Sequence, residues 1–504
     1  MTDLRSEEPP RSLPPRVIPR SGPMRVPVHL FVEPGIEPQA AAVEQLRALA
    51  SLPFLSDPVV AMPDVHPKSR NPAPTGIVLA TEDDLVPLAI DKGLNCGMRT
   101  VRTGIPAAEF TPARVDALFS ELLSRVPIRP RREALLSRDE VRRSLARGAR
   151  FAAERFDGAA AEIAHVERGG NLLDGQGLDP GAAVAAVPPM AIEKGRRALG
   201  CLGAGNHFIE LQEIVEVLDP ARARALSLRA GDAVFMLHTG SEAVGSLTMS
   251  HYSTHGRPKD ARGRVKLFLG KLAFHATRGG FGGVSLAAKR RYLFERDFFS
   301  IRASSPEGRR FAGAVAAASN FGFVNRAAIA HAIRESVRAA FGRDASLRLS
   351  LLFDCSHVGI QRETHGGRSL FVHRHGANVA LPASRCADHP VFRATGQPIP
   401  VPGSMGDDSF LCVGAEGNAA TYSSANHGAG RLLDKADAIA RYTESDVERD
   451  MARRRVRLYR GGTMNIAEQA PRSFKSIAAV LDAMRRLGVA EAVARVRPIA
   501  VLKG

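Results

Sequence analysis

Five short segments between Ala89 and Arg431 share one design: an apolar stretch runs into a turn that presents a cysteine or a histidine. They are AIDKGLNCGMR with Cys96, LGAGNHFIE with His207, MLHTGS with His238, FDCSHVG with His357, and SANHGAGR with His427. Side chains at strand ends are well placed to converge on one pocket. A chain that gathers these five must therefore set strands from distant parts of its length side by side. Cysteine with several histidines suits a borderline-soft divalent ion such as zinc, cobalt, nickel or manganese, and a thiolate can bridge two ions. For one histidine alone a structural role is the commoner outcome; the shared context raises the case for ligation.

Glycines add a second chemistry. GAGNH, PGSMG (402–406) and HGAGR (427–431) are turns whose backbone amides can approach a phosphate closely. His427 sits against such a turn, with Arg431 four residues on. A neutral imidazole beside phosphate-binding amides and an arginine can attack phosphorus. Lys475 is either a phosphate- or base-binding lysine or a solvated residue of a late helix.

Around these segments the pattern predicts a mixed chain. Residues 1–25 are rich in Pro, Arg and Ser and read as a disordered basic tail, with a single large domain over 26–504. Strands are expected in VPVHLFV from Val26, GIVLAT, MRTVRT, FIELQEIVEV, DAVFMLH, LRLSLLFD, LFVHR and the terminal PIAVLKG. Helices are expected over 38–49, 111–160, 308–341 and 474–487. Thr111-Pro112 supplies an N-cap pair, and Ser137 with Glu140 has the spacing of a capping box. The helix over 308–341 is expected to break near Asn320–Asn325. The basic, glycine-bearing stretch 255–310 reads as a long surface excursion. Strands and helices alternate without βαβ regularity, which favours one α+β domain with central sheets lining a cleft.

The formal net charge of +17 points to a polyanionic partner, nucleic acid above all, although an arginine-biased composition gives the same sum. The five cysteines are scattered and form no CxxC pair, which argues against a disulfide framework or a zinc ribbon. No run approaches the roughly 18–20 apolar residues of a membrane span. The N-terminus has no apolar signal core and carries Asp3, Glu7 and Glu8. A cytoplasmic protein without membrane partners is the expectation.

Taken in order, these segments resemble the RtcB family of RNA ligases. The resemblance runs from MPDVH (62–66) through the CGMR loop, LGAGNHFIE, HTGS, ASNFGFVNR (318–326), SH (356–357) and HRHGA (373–377). It continues through PGSMGDDSF (402–410), NHGAGR, EQAP (468–471) with FK (474–475), and the terminal VLKG. It implies an enzyme that uses GTP and manganese to join RNA 3′-phosphate or 2′,3′-cyclic phosphate ends to 5′-hydroxyl ends, in tRNA splicing or RNA repair. It implies that His427 becomes guanylylated, and that Cys96, His207, His238 and His357 hold two Mn2+ ions with Cys96 between them. Asn206, Glu210, Ser404, Ser409, Gly428, Ala429, Gly430 and Lys475 match positions that hold the guanylate. Asp64 and Arg431 match positions near the reacting ends. An archease-like activating protein is an implied partner. Glu210 makes chemical sense as a guanine reader, because a carboxylate accepts two adjacent N–H groups at once.

The chain also departs from that pattern at the site. The metal-binding aspartate of the Asp-Ile-Gly-Cys-Gly loop is replaced by Gly93, with Asp91 two residues earlier and Asn95 beside Cys96. An arginine after HTGS is replaced by Glu242, an asparagine after SH by Val358, a tyrosine before Lys475 by Phe474, and a cysteine before His427 by Asn426. The stretch 67–75 is longer and lacks the usual glycines. Two other readings stay open on this scaffold: a metal-dependent phosphatase or cyclic phosphodiesterase, and an RNA-binding paralogue that does not ligate.

Overall fold

The apolar runs of the sequence assemble into two main sheets, seen in a computed structural model that describes residues 12–69, 71–156, 159–255, 260–277, 286–462 and 464–504. The first sheet has six strands in the order Arg16–Ile18, Val28–Leu30, Val59–His66, Thr75–Thr81, Arg368–His375, Val358–His365. The second has eight strands. Its main path runs Ser350–Ser356, Gly97–Pro106, Asp232–Thr239, Phe208–Val217, Ala490–Lys503, Ser409–Gly414, Pro398–Val401. Arg457–Arg460 joins it in parallel to Ala490–Lys503. Most other neighbours are antiparallel, and helices cover the sheets rather than alternate with them. This is the α+β architecture that the sequence pattern predicts.

Strands Val59–His66 and Thr75–Thr81 are buried at every position, which explains the apolar runs Val59–Met62 and Ile77–Ala80 within them. The caps form as expected. The Thr111 side chain accepts from the Arg114 amide, and Ser137 and Glu140 close a reciprocal capping box.

Three expectations change. Residues 16–18 of the supposed tail form an edge strand paired antiparallel with Val28–Leu30, and the Leu13 amide donates to the Arg486 carbonyl at 2.8 Å. Backbone pairing and burial of Met24 and Val26 order this segment despite its polar composition; residues 1–11 lie outside the described residues. The stretch 255–310, expected as a long surface excursion, carries helices Ala261–Thr277 and Leu286–Phe294, which bury Phe274 and Tyr292. Residues 256–259 and 278–285 of that stretch lie outside the described residues.

The third change concerns the helix Pro306–Phe341, which runs 36 residues without a break. Asn320 and Asn325 look like helix interruptions because their amides compete for backbone partners. Here both amides reach out of the helix instead. Asn320 accepts from the Leu172 amide and donates to the Leu145 carbonyl, each within 2.9 Å. Asn325 accepts from the Gly200 amide and donates to the carbonyls of Cys201 and Gly240, all within 3.0 Å. The polar face of this buried helix is a rack for loops.

A buried ion pair fixes the hairpin Val358–His365/Arg368–His375 to the strand that leads into His427. Arg374 grips Glu363, and its Nε and Nη2 also donate to Ser424 Oγ and the Tyr422 carbonyl at 2.8 and 3.0 Å. Burial alone would raise the Glu363 carboxyl, but Arg374 and His365 outweigh it and hold it well below the usual carboxylate range. A carboxyl depressed in the folded state stabilises above its unfolded pKa, and that contribution fades as pH falls below about 4.3. Glu363→Gln is therefore expected to lose about 3–5 kcal/mol at neutral pH by leaving Arg374 buried and unpaired. Denaturant midpoints measured from pH 7 to pH 3 check this, and the variant's profile should be flatter than the parent's.

Candidate metal and nucleotide site

The site is built from strand ends. Gly97–Pro106, Asp232–Thr239 and Ser350–Ser356 are consecutive neighbours in the second sheet. Their ends carry Cys96, His238 and His357 to one mouth. Cys96 Sγ lies 3.2 Å from His238 Nε2, and His238 Nε2 lies 3.2 Å from His357 Nε2. The ligand atoms of these three residues all fall within 4.8 Å of one another. His207 approaches from the adjacent strand Phe208–Val217, with Nε2 3.4 Å from Cys96 Sγ.

The far nitrogens of two rings are held by carbonyls. His207 Nδ1 donates to Leu202 O at 2.9 Å, and His238 Nδ1 donates to Asn206 O at 3.1 Å. A carbonyl can only accept, so each Nδ1 carries a proton and each Nε2 is the atom turned to the centre; on His238 it offers a lone pair, and on His207 it does so once an ion displaces its proton. Burial holds His238 and His357 well below the ordinary imidazole range and thus neutral. One thiol and three imidazoles with converging Nε2 atoms fit a divalent transition ion.

The buried arginine of the long helix explains why three ligand positions meet. Arg326 is fully buried and pairs with Asp354, the residue three before His357, with Nε to Oδ1 at 2.8 Å. Its Nη1 donates to the carbonyls of Asn95 and Thr239 at 2.9 Å each. Arg326 thus ties the residue before Cys96, the residue after His238 and the strand of His357 to one guanidinium. Gly97 must be glycine here, since a Cβ would meet Cys355 O at 2.2 Å and Arg326 Nη1 at 2.8 Å.

His427 stands beside this cluster, its ring centroid 4.8 Å from that of His357. Its Nδ1 donates to Asp64 Oδ2 at 2.7 Å and to the Gly376 carbonyl at 2.9 Å. Both partners accept, so the Nδ1 tautomer is set and Nε2 keeps its lone pair for the cleft. Asp64 is fully buried behind the ring, so it positions His427 rather than lining the cleft. Gly430 has φ +76°, and a Cβ there would meet Asp64 O at 2.3 Å; the glycine of HGAGR lets the loop close on Asp64.

A cleft of about 550 Å³ opens over these residues. It is lined by Cys96, Asn206, His207, Glu210, His238, His357, Ser404, His427, Gly428, Ala429, Gly430 and Arg431. The remaining candidates lie elsewhere. Ser409 is buried beneath the floor, accepting from Gln212 Nε2 at 3.3 Å and from the Gly403 amide at 3.2 Å. Lys475 is not among the residues that line the cleft and is buried rather than a solvated helix residue. Its Nζ donates to the carbonyls of Ile36, Pro63 and Val65 at 2.9–3.1 Å, so it staples the Asp64 strand. Within the glycine loop the Ala429 amide already donates to Pro402 O at 3.1 Å. Arg431 spends Nη2 on Glu468 O at 2.7 Å and stacks on Phe474 at 4.8 Å.

At the opposite end, Glu210 and Lys503 sit on neighbouring strands and both line the cleft. Burial pushes the Glu210 carboxyl up and the Lys503 ammonium down, and each opposes the other's shift. Lys503 is a cleft cation absent from the candidates named above. The signal was present: a lysine follows the apolar run Ile499–Leu502 in the terminal VLKG.

The family model for tRNA-splicing ligase RtcB matches residues 45–504. The chain belongs to the RtcB family. It is similar to the tRNA-splicing ligase RtcB of Thermococcus kodakarensis, 31% identical over 499 residues that cover 95% of each chain. It is 32% identical to the RNA-splicing ligase RtcB of Mycobacterium tuberculosis over 473 residues, 91% of this chain and 100% of the relative. With the tRNA-splicing ligase RtcB of Pyrobaculum aerophilum it shares 28% over 494 residues, 95% of each.

Against RtcB expectations, the departures have structural answers. Asn95 does not replace the absent aspartate at Gly93. It has φ +48° and is fully buried, with Nδ2 donating to Ser319 O at 2.7 Å and Oδ1 accepting from Arg326 at 2.8 Å. Glu242, where an RtcB arginine is expected, faces His207 with Oε1 3.1 Å from Nδ1. Burial would lower His207, but Cys96 and Glu242 outweigh it and push it up to about 10. Asn426 donates from Nδ2 to Gly428 O at 2.9 Å, so it shapes the His427 turn. Among the described residues no helix is long and apolar enough to cross a membrane.

Proposed function

We propose that this RtcB-family protein is a GTP-dependent RNA ligase that joins 3′-phosphate or 2′,3′-cyclic phosphate ends to 5′-hydroxyl ends through a His427–GMP intermediate. The observation that carries the reading is His427 itself: Nδ1 is clamped by Asp64 and Gly376, Nε2 is free for the cleft, and a Cys/His cluster adjoins it. Cys96, His238 and His357, with His207 beside them, would hold a divalent ion that, when bound, would supply Lewis-acid neutralisation of phosphate charge; manganese fits this donor set, as do neighbouring transition ions.

The chain's own residues account for the rest. Glu210 and Lys503 present an acceptor and donors at the far end of the cleft, a pairing that reads a guanine edge. His427 Nε2 attacks the α-phosphorus of GTP and pyrophosphate departs. Asp64 stabilises the positive charge that develops on the ring, as a carboxylate does for other nucleophilic or basic histidines. A cyclic phosphate is first hydrolysed, water adding to phosphorus and the 2′-oxygen leaving as a hydroxyl; GMP then passes to the RNA 3′-phosphate, the 5′-hydroxyl oxygen attacks that phosphorus, and GMP leaves. Arg431 and the Gly428–Gly430 turn line the path of the phosphates. The basic surface holds RNA backbone without reading sequence, and a cytoplasmic setting follows from that substrate.

The test uses an RNA with a labelled 2′,3′-cyclic phosphate and a second RNA with a 5′-hydroxyl, together with GTP and Mn2+. A joined product carrying the label at the junction is expected. Opening of the cyclic phosphate without joining would replace the ligase with a phosphodiesterase on the same scaffold.

A further inference from the structure

The cleft also carries Lys68, Asp91 and His375; of these only Asp91 entered the sequence analysis, as the carboxylate two residues before Gly93. Lys68 Nζ is paired with Asp91 Oδ2. Asp91 Oδ1 is also taken, accepting from the Lys92 amide at 2.6 Å. His375 Nε2 lies 3.7 Å from the same Asp91 Oδ2. Asp91 is thus engaged by Lys68 through one oxygen and by a backbone amide through the other.

The position of Lys68 is built rather than incidental. Gln45 brackets its backbone, accepting from the Lys68 amide at 3.2 Å and donating to its carbonyl at 2.8 Å. Asn71 in the same loop donates to Ile90 O at 3.3 Å, which pins the loop to the segment that carries Asp91. The Cys96 sulfur lies within electrostatic reach of the ammonium.

The donor count on the other side is small. Cys96, His238 and His357 form a complete three-ligand cluster. Beyond it His207 Nε2 has Cys96 as its neighbour, Gly93 offers no side chain, and Asn95 is committed to the long helix. With Asp91 paired to Lys68, a second divalent ion would have one imidazole and a shared sulfur, beside an ammonium that the same sulfur attracts. Hard-to-desolvate dications need more anionic or neutral donors than that.

We propose that this chain holds one divalent ion rather than the two its family resemblance implies, and that the Lys68 ammonium, clamped by Asp91, supplies the cationic contact to phosphate on the vacated side. An ammonium has three donors. Asp91 takes one, which leaves the others for phosphate oxygens entering the cleft. The inference rests on reading Cys96, His207, His238 and His357 as metal ligands.

The experiment is ion counting on the full chain. Protein saturated with Mn2+ and freed of excess is assayed for metal content and by electron paramagnetic resonance, and binding of inorganic tripolyphosphate is measured by calorimetry. The parent is expected to hold one ion per chain with the six-line signal of an isolated Mn2+. Lys68→Met is expected to keep one ion and to bind tripolyphosphate at least about tenfold more weakly, the loss of one charge-assisted contact. The double variant Gly93→Asp/Lys68→Met restores the carboxylate and is expected to hold two exchange-coupled ions. A Cβ at Gly93 would have its nearest neighbour at 3.9 Å, so the aspartate has room. Two ions on the parent, or undiminished tripolyphosphate binding by Lys68→Met, would overturn the proposal. Neither readout needs RNA joining, so failure of the ligase reading leaves this one separately decidable.

Discussion

His427→Ala is expected to abolish both the covalent guanylate and RNA joining, with a loss of at least about 10⁴-fold, because removal of a nucleophile leaves only binding and electrostatics to act. Labelled GTP incubated with Mn2+ and each protein, followed by denaturing separation, reads the adduct directly. Metal content should be unchanged, since His427 is held by Asp64 and Gly376 rather than by the Cys96 cluster. Asp64→Asn separates positioning from attack. The amide preserves the shape but can donate to Nδ1 and so favours the wrong tautomer, for which a loss on the order of 10⁴-fold is known in an analogous histidine–carboxylate pair. Its adduct should form slowly but still on His427. An adduct of undiminished yield in His427→Ala would sink the mechanism.

Arg326→Met is expected to be the most destabilising single change near the site, at about 3–5 kcal/mol, because it leaves Asp354 buried with part of its compensation gone. That is a large fraction of the 5–15 kcal/mol by which folded domains typically exceed their unfolded states. Arg99 still donates to Asp354 Oδ2 at 2.9 Å, which places the loss within that range rather than beyond it. Arg326→Lys should recover little, since a single ammonium cannot replace a fork that serves Asp354, Asn95 and Thr239 together. Mn2+ affinity should fall with stability, because the same guanidinium aligns the backbone at Cys96 and His238. Thermal and urea unfolding with metal titration check both effects; an Arg326→Met protein that unfolds at the parental midpoint would refute the role.

Much of the scaffold can be read along the chain because its signals are local. Thr111 and the Ser137/Glu140 box mark their helix starts through contacts three residues apart. The apolar runs at 76–81 and 208–217 become strands as expected. The errors arose where distant partners overrode local preference. Residues 16–18 pair with Val28–Leu30, and Asn320 and Asn325 satisfy loops that lie more than 80 residues away in sequence.

For the site, the residue types and their glycine contexts were sufficient to nominate Cys96, His207, His238, His357 and His427, because ligation and attack on phosphorus demand particular atoms. Which nitrogen faces the cleft was not legible, since a tautomer is set by carbonyls and a carboxylate brought from Leu202, Asn206, Gly376 and Asp64. The fates of the lysines were not legible either. Lys475, Lys503 and Lys68 look alike as letters; one staples three carbonyls, one joins Glu210, and one pairs with Asp91. The sequence by itself determined the chemical inventory of the cleft and the order of the strands that carry it. Only the tertiary structure decided which cations face that cleft, because a long flexible side chain takes whichever buried acceptor the fold places within its reach.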